Sequence, residues 1–237
     1  RHFRVFTPPG YDPSDTVKRY PVIYYFHGCR GSYDNSGVYK YSTWKLEQPE
    51  VTGRPDDPAY EYPNNAEFEN YAFHHDVIII SADGKIEGLE GCGVYFPSMA
   101  PDWEGNYYNF SAYIRELVAE VDKRFHTRPE PRYRAITGLS MGGHTAVWLA
   151  ASNPHLFRSA SHFGFAPCYY DIGDPEHMTT IDLKEMWRNL RGVPFRHSTN
   201  DRDYLRYYTT ELFEVFSGAG FSNEYYLADF CRHWAAR

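Results

Sequence analysis

The most constraining feature of the sequence is a serine flanked by glycines, Gly138-Leu139-Ser140-Met141-Gly142, between two apolar segments. Residues 133–137 before it have the pattern of a short strand, and the residues after it continue as a helix. A side chain two residues before or after the serine would collide with the neighbouring strand or helix, so glycine is required there. This arrangement predicts a serine on a tight strand-to-helix turn, with its hydroxyl directed out of a sheet.

Strands and helices alternate along the rest of the chain. Continuously apolar segments such as residues 22–26 are typical of central parallel strands that are covered on both faces. The alternation predicts an α/β fold, with a mostly parallel central sheet and helices on both faces. The further predicted strands are residues 2–8, 22–26, 76–83, 157–163, 193–198 and 224–229, and the further predicted helices are residues 109–125, 182–190 and 203–217.

The length of 237 residues suits a single domain, 1–237, with a large core. The formal net charge is −7 and no basic block occurs, so nucleic acid is not expected as a partner. The longest apolar run, residues 77–80, is too short to insert into a membrane. Arg1 leads directly into a strand-like segment, so we expect the chain to be trimmed at its N-terminus. Trimming at the C-terminus is a further expectation. The N-terminal residues do not indicate a location, and our separate expectation is a secreted or periplasmic protein.

Residues 33–70 are rich in tyrosine and have weak periodicity. A connection of this length in a compact domain is usually functional or disordered, and its aromatic content argues against disorder. Its end, residues 65–74, is predicted to be helical. Two interpretations stay open: the segment packs near the functional site, or it only covers the surface.

A glycine-rich turn, residues 27–32, follows the predicted strand 22–26. The carboxyl ends of central strands are where α/β sheets build their sites. The Cys29 N–H is therefore a candidate to bind an oxyanion together with the Met141 N–H, which lies at the start of the helix after the serine. The alternative is an ordinary strand-to-loop turn.

A carboxylate and a histidine follow Ser140 in loops after successive strands. Asp201 comes just past the strand 193–198, and His233 comes just past the last predicted strand. The order serine, acid and histidine fits a triad in which His233 takes the proton of Ser140 and Asp201 holds the imidazole. Asp203 is the rival for the acid, and Asp171 and Asp174 are more distant candidates.

Other histidines have weaker claims to chemistry. His162 could line the site but does not fit the required order, and His144 is best explained as a buried structural histidine. The pair His74-His75 has no third ligand at a suitable spacing, so no metal is predicted. No dinucleotide motif is present, and we expect no cofactor.

The four cysteines, Cys29, Cys92, Cys168 and Cys231, are too few and too scattered for a disulfide scaffold, and none forms a zinc-binding C-x-x-C pair. Buried free thiols are the default expectation, and an exported protein could hold one or two disulfides. Cys29 and Cys231 both lie beside the predicted site, so a disulfide between them is one hypothesis.

The chain resembles the esterase D family of α/β-hydrolases, which includes carbohydrate esterase family 1 feruloyl and acetylxylan esterases, S-formylglutathione hydrolase and the mycolyltransferases. The matching segments cover nearly the whole chain: residues 20–28, the helix 107–125, the serine motif 138–144, residues 199–201 and His233-Trp234. The resemblance implies a triad of Ser140, Asp201 and His233, with the Cys29 and Met141 N–H groups as the oxyanion hole. Cys231-Arg232 stands where the family has glycine before the histidine, and the family's closing helix is absent.

The resulting hypothesis is a serine carboxylester hydrolase that removes feruloyl or acetyl groups from plant polysaccharide. Tyrosine and tryptophan near the site would suit stacking on phenolic or sugar rings. The alternatives are a thioesterase similar to S-formylglutathione hydrolase and a non-catalytic carbohydrate-binding member of the fold. Fold alone does not fix the substrate, so peptidase and lipase activity stay open.

Overall fold

The computed structural model describes residues 3–28, 68, 71–84, 110–166, 187–201 and 203–228. Seven strands in these ranges form one sheet, in the order β1-β3-β2-β4-β5-β6-β7. Only β1 runs antiparallel to its neighbour, so the prediction of a mostly parallel sheet is confirmed. The strands are β1 (Phe3–Phe6), β2 (Val22–Phe26), β3 (Ile78–Ala82), β4 (Arg134–Gly138), β5 (Ser159–Phe163), β6 (Phe195–Asn200) and β7 (Asn223–Ala228).

Besides a short helical stretch at residues 71–75, the described ranges contain three α-helices: α1 (Phe110–Arg124), α2 (Met141–Ser152) and α3 (Arg206–Gly218). They confirm the predicted helices after residue 109, after Ser140 and over residues 203–217, although α3 begins three residues late. Short 3₁₀ turns lie at Pro131–Tyr133 and Trp187–Leu190. The second of these turns is the described end of the predicted helix 182–190.

The main core lies between the sheet and the helices α1, α2 and α3. Helix α2 is buried along almost its whole length and packs against β4, β5 and β2. A helix surrounded on all sides must be apolar on all sides, which explains why α2 lacks an amphipathic pattern. The fully buried side chains of this core include Tyr24, Phe26, Ile80, Ile136 and Phe216.

The opposite face of the sheet carries a second, smaller cluster around Phe6, Val77 and Ile79. Residues 71–75 are helical and place Ala72 in this cluster, and the Phe68 ring lies 4.6 Å from that of Tyr25. The predicted helical end of the long segment therefore covers the second face. Helices on both faces are confirmed.

All strand pairs among β2 to β7 are parallel, so the carboxyl ends of these six strands meet at one edge of the sheet. Phe26, at the end of β2, pairs with Gly138, at the end of β4. The turns after β2, β4, β5 and β6 therefore share this edge, where open α/β sheets bind ligands. None of the helices described is long and apolar enough to cross a membrane.

Candidate active site

Ser140 occupies the turn between β4 and α2 in a rare backbone conformation, with φ of 58° and ψ of −119°. Residues other than glycine seldom adopt positive φ, and such strain persists only where the surroundings impose it. The side chain is 8% exposed, so the serine is nearly enclosed. The sequence-based prediction of a tight strand-to-helix turn at Ser140 is confirmed.

The glycines around the serine make the turn possible by permitting close backbone contact. A β-carbon added to Gly138 would lie 2.2 Å from the Gly142 carbonyl oxygen, and one added to Gly142 would lie 2.2 Å from the Phe26 carbonyl oxygen. Real β-carbons do not come this close to another atom. Both glycines of the motif are therefore required sterically, as the sequence pattern indicates.

Backbone hydrogen bonds hold the serine from two sides. The Ser140 N–H donates to the Phe163 carbonyl oxygen at 2.8 Å, and the Ala166 N–H donates to the Ser140 carbonyl oxygen at 3.2 Å. Leu139 is fixed in turn by its N–H, which donates to the Phe26 carbonyl oxygen at 3.1 Å. The serine turn is therefore attached both to β2 and to the end of β5.

The loop after β5 is itself fixed by α3. The Phe165 N–H donates to the hydroxyl of Thr209, a fully buried residue of α3, at 3.0 Å. The next residue, Ala166, donates its N–H to the Ser140 carbonyl oxygen. The bond from Phe165 to Thr209 therefore helps to hold the residue that contacts Ser140. The sequence alone gave no sign of this role, since a threonine in a helix carries no recognisable site pattern.

Gly28 and Met141 both lie next to Ser140. Met141 is the first residue of α2, so its N–H has no acceptor within the helix. A β-carbon on Gly28 would lie 3.3 Å from the Ser140 β-carbon, so the end of the β2 turn passes beside the serine. Cys29 lies outside the described residues, and its role stays a prediction.

A buried histidine, His27, holds the turn that follows β2. The Gly84 N–H donates to His27 Nε2 at 3.3 Å, which leaves Nδ1 as the protonated nitrogen. His27 Nδ1–H therefore donates to the Gly28 carbonyl oxygen at 2.9 Å. Asp83 also lies 3.9 Å from Nε2. This ring connects the turns that follow β2 and β3.

The two candidate acids differ in their surroundings. Asp201 follows β6 directly and is exposed. Asp203 is 5% exposed, and its Oδ1 accepts from the Leu205 N–H at 2.8 Å. Asp203 Oδ2 accepts from the hydroxyl of Thr199 at 3.1 Å. The structure thus holds Asp203 rigidly at the end of β6 and leaves Asp201 in solvent.

His233 lies outside the described residues, as do all four cysteines, so the proposed base and the Cys29–Cys231 disulfide stay untested predictions. Asp171 and Asp174 also lie outside. Among the residues described, no cluster of histidine, cysteine and acidic side chains could hold a metal ion.

Three histidines are completely or almost completely buried beneath the site: His144 on α2, His162 on β5 and His197 on β6. Burial lowers the pKa of His144 to about 4 and the pKa of His197 to about 3. Burial, with a smaller contribution from His197, holds the pKa of His162 well below its usual range. All three rings are therefore neutral near pH 7. His144 is buried as expected, whereas the closeness of His162 and His197 was not predicted.

The seven-stranded sheet and the strained serine turn define the α/β-hydrolase class. Residues 1–212 match the family described as "Putative esterase". Because the match covers most of the chain, the protein belongs to this esterase family.

The chain is similar to S-formylglutathione hydrolases and to a ferulic acid esterase. A 108-residue segment is 29% identical to mouse (Mus musculus) S-formylglutathione hydrolase, covering 40% of this chain and 38% of that protein's length. A CE1 ferulic acid esterase from Anaeromyces mucronatus has a TM-score of 0.63 at 20% identity, over 99% of this chain and 79% of the other. An S-formylglutathione hydrolase from Agrobacterium tumefaciens has a TM-score of 0.61 at 20% identity, over 98% and 83% of the two chains. At this identity the structural likeness shows the fold.

Proposed function

We propose that the protein is a serine carboxylester hydrolase in which Ser140 attacks the acyl carbon. The observation that carries this proposal is the strained conformation of Ser140, with φ of 58° and ψ of −119°, on a glycine-flanked turn at the carboxyl edge of the sheet. A buried serine with no chemical role would have no reason to retain this strain, which costs about 1–3 kcal/mol. Membership of an esterase family supports the same reaction.

The reaction follows the acyl-enzyme route. The imidazole of His233 would take the hydroxyl proton of Ser140 as the oxygen attacks the ester carbonyl carbon, and would return it to the leaving alcohol. Water then attacks the acyl-serine with His233 again acting as base. The N–H groups of Met141 and Cys29 are proposed to stabilise the oxyanion of each tetrahedral intermediate.

The acid that orients His233 comes from the end of β6. Asp201 is the candidate from the sequence, and Asp203 is the second candidate. The burial of Asp203 and its bond from the Leu205 N–H favour it, because a triad acid must be held rigidly and shielded from water. Both side chains follow the same strand, so the proposed reaction is unchanged by the choice.

The proposed substrate is a feruloyl or acetyl ester of plant polysaccharide, and the proposed location is secreted or periplasmic. Support for a feruloyl group comes from the solved structures with this fold, which include a CE1 ferulic acid esterase in complex with ferulic acid. The S-formylglutathione hydrolases among the similar proteins make a thioester the competing substrate.

The test is hydrolysis of p-nitrophenyl acetate, methyl ferulate and S-formylglutathione by the wild-type protein, with Ser140→Ala as control. We expect the wild-type protein to hydrolyse p-nitrophenyl acetate and methyl ferulate, and we expect Ser140→Ala to hydrolyse neither. Preference for S-formylglutathione would move the substrate to a thioester, and turnover of acetate alone would favour deacetylation.

A second measurement separates an inactive enzyme from a wrong substrate. A fluorophosphonate should label the wild-type protein once per chain and should not label Ser140→Ala, because the reagent requires an activated serine. A folded wild-type protein that neither turns over the esters nor reacts with the reagent would contradict the catalytic proposal and leave the non-catalytic binding protein.

A further inference from the structure

Two buried histidines form a direct hydrogen bond across neighbouring strands beneath the serine. His162 on β5 pairs in register with His197 on β6, and the distance from His162 Nε2 to His197 Nδ1 is 3.0 Å. Both side chains are fully buried. The rings are 5.0 Å apart and nearly perpendicular, so the contact is a hydrogen bond and not a stack.

The surroundings of the pair are aromatic. His197 contacts the rings of Phe213 and Phe216 on α3 edge to face, at 5.7 Å and 5.3 Å. On the other side, the Phe165 ring lies 5.2 Å from His162 and 5.7 Å from His144 of α2. Within the described part of the chain, the two outer nitrogens of the pair have no hydrogen-bond partner.

The protonation of the pair follows from its single shared bond. Neutral imidazole carries one N–H and one bare nitrogen. The ring that donates therefore has a bare outer nitrogen, and the ring that accepts carries an outer N–H. A hydrogen bond between two neutral side chains contributes only about 0.5–1.5 kcal/mol net, and replacing both partners with apolar groups of the same shape can be nearly neutral or stabilising. Stability alone therefore does not account for the pair.

Each histidine is adjacent to a bond that holds the active site. His162 precedes Phe163, whose carbonyl oxygen accepts the Ser140 N–H. A β-carbon on Gly143, in the first turn of α2, would lie 2.9 Å from the His162 β-carbon, so that turn rests on His162. His197 precedes Ser198, whose carbonyl oxygen accepts the Gly164 N–H at 2.7 Å.

We propose that His162 and His197 are positioning residues whose mutual hydrogen bond sets the separation between the Ser140 turn and the acid at the end of β6. This inference rests on the proposed function, because it requires the acid to act with Ser140. The sheet hydrogen bonds fix the strands along their length, and the imidazole pair fixes their side chains on the face that supports α2. Misplacement of catalytic groups by about 1 Å can lower the rate of an enzyme by about 100-fold.

Variants that keep or remove the hydrogen bond can be chosen because the bond uses Nε2 of His162 and Nδ1 of His197. An asparagine side chain places its polar atoms near the Nδ1 position of histidine, and a glutamine side chain reaches the Nε2 position. His197→Asn and His162→Gln therefore keep the bond, whereas His197→Leu and His162→Leu remove it. His162→Asn is the mismatched control, since its amide is too short to reach His197.

The measurements are kcat and KM for p-nitrophenyl acetate, with active sites counted by fluorophosphonate labelling, and the thermal midpoint of unfolding. We expect the leucine variants and His162→Asn to lose about 10- to 100-fold in kcat with little change in KM, because geometry and not binding is affected. The variants that keep the bond should recover most of that loss. In the wild type, an imidazole N–H proton resonance downfield of the amides should report the bond and should disappear in the leucine variants.

A purely structural role predicts a different result. All variants would then lower the thermal midpoint while kcat per labelled site stayed at the wild-type value, and this outcome would overturn the inference. An equal loss of kcat in matched and mismatched variants would also overturn it. If the wild type itself neither turns over ester nor labels, the proposed function fails and the positioning role falls with it. If the wild type is active and the histidine variants have the same kcat, the positioning role is wrong and the proposed function stands.

Discussion

Gly142 lies against the carbonyl oxygen of Phe26 so closely that an added β-carbon would come within 2.2 Å of it. The second carbonyl of that turn, His27, would lie 2.4 Å from the same β-carbon. Both clashing atoms are backbone, so neither can rotate away. The start of α2 and the end of β2 therefore form one rigid unit around Ser140.

The first prediction is that Gly142→Ala lowers the free energy of unfolding by roughly 3 kcal/mol, because the methyl group forces α2 away from β2. Urea unfolding followed by circular dichroism measures this loss. Gly218→Ala is the matched control, since a β-carbon at Gly218 meets nothing within 4 Å. It should be neutral or slightly stabilising, because alanine is favoured over glycine in a helix. Equal stability of the two variants would contradict the contact with β2.

The second prediction concerns strain at the serine. Glycine populates positive φ readily, so Ser140→Gly should raise the free energy of unfolding by about 1 kcal/mol while abolishing ester hydrolysis. Ser140→Ala should abolish hydrolysis as well, without this gain, because alanine keeps the strained conformation. The comparison is made by urea unfolding of the two variants. A glycine variant no more stable than the alanine variant would show that the turn stores no strain.

Much of the fold could be predicted because local patterns dominate it. Residues 22–26 are β2 as predicted, and the glycines around Ser140 fixed both the turn and the start of α2. Strand β6 extends beyond its predicted end at Ser198 to Asn200. Thr199 and Asn200 are polar yet buried, since they pair with Leu227 and Ala228 of β7, a contact that no local pattern reveals.

The parts of the site that escaped prediction depend on contacts between distant segments. His162 and His197 are 35 positions apart and meet only through the register of β5 and β6. The late start of α3 has a local cause, because the Asp203 side chain binds the Leu205 N–H ahead of the first helical residue. The sequence favours Asp201 over Asp203, whereas burial in the structure favours Asp203.

The third prediction is that stability falls in mild acid because of the buried histidines. Burial lowers the pKa of His144 to about 4 and that of His197 to about 3, below the value of about 6.5 expected in the unfolded chain. At pH values below about 6.5 and above the pKa of each histidine in the folded protein, the unfolded chain binds a proton that the folded chain does not. The stabilisation is therefore complete above about pH 6.5 and is lost as the pH falls, by on the order of 1 kcal/mol per pH unit for each group.

Urea unfolding at a series of pH values from about 7 to about 4.5 measures this dependence. His144→Gln, which cannot titrate, should make the slope shallower by the contribution of one group. His155→Gln is the control, since His155 is exposed to solvent. If His144→Gln and the wild type have the same slope, His144 is not the source of the acid sensitivity.

The fourth prediction separates the two candidate acids. If Asp203 orients His233, Asp203→Asn should lower kcat by a factor on the order of 10⁴, because an amide stabilises the wrong imidazole tautomer. Asp201→Asn should change kcat little, since its side chain is exposed. The variants are compared by kcat for p-nitrophenyl acetate after labelling of active sites. The reverse ranking would establish Asp201, as the sequence predicts.

The fifth prediction concerns a buried ion pair at the opposite edge of the sheet. Arg134 Nη2 bonds Asp122 Oδ2, and Asp122 Oδ1 accepts from the hydroxyl of Thr127 at 2.6 Å. The side chains of Arg134 and Asp122 are only 7% and 19% exposed. Arg134→Met should therefore lower the free energy of unfolding by roughly 2–4 kcal/mol, because it leaves a carboxylate poorly solvated and without its cation.

The matched control is the pair of Lys18 and Asp76, at 3.1 Å, whose side chains are 47% and 61% exposed. Water screens this pair, so Lys18→Met should change stability much less than Arg134→Met. Urea unfolding of both single variants makes the comparison, and the double variant Arg134→Met with Asp122→Leu extends it. Because that change removes both charges, it should recover part of the loss, as expected when the cost comes from the charge left behind. A double variant less stable than Arg134→Met alone would show instead that the ion pair itself is strongly stabilising.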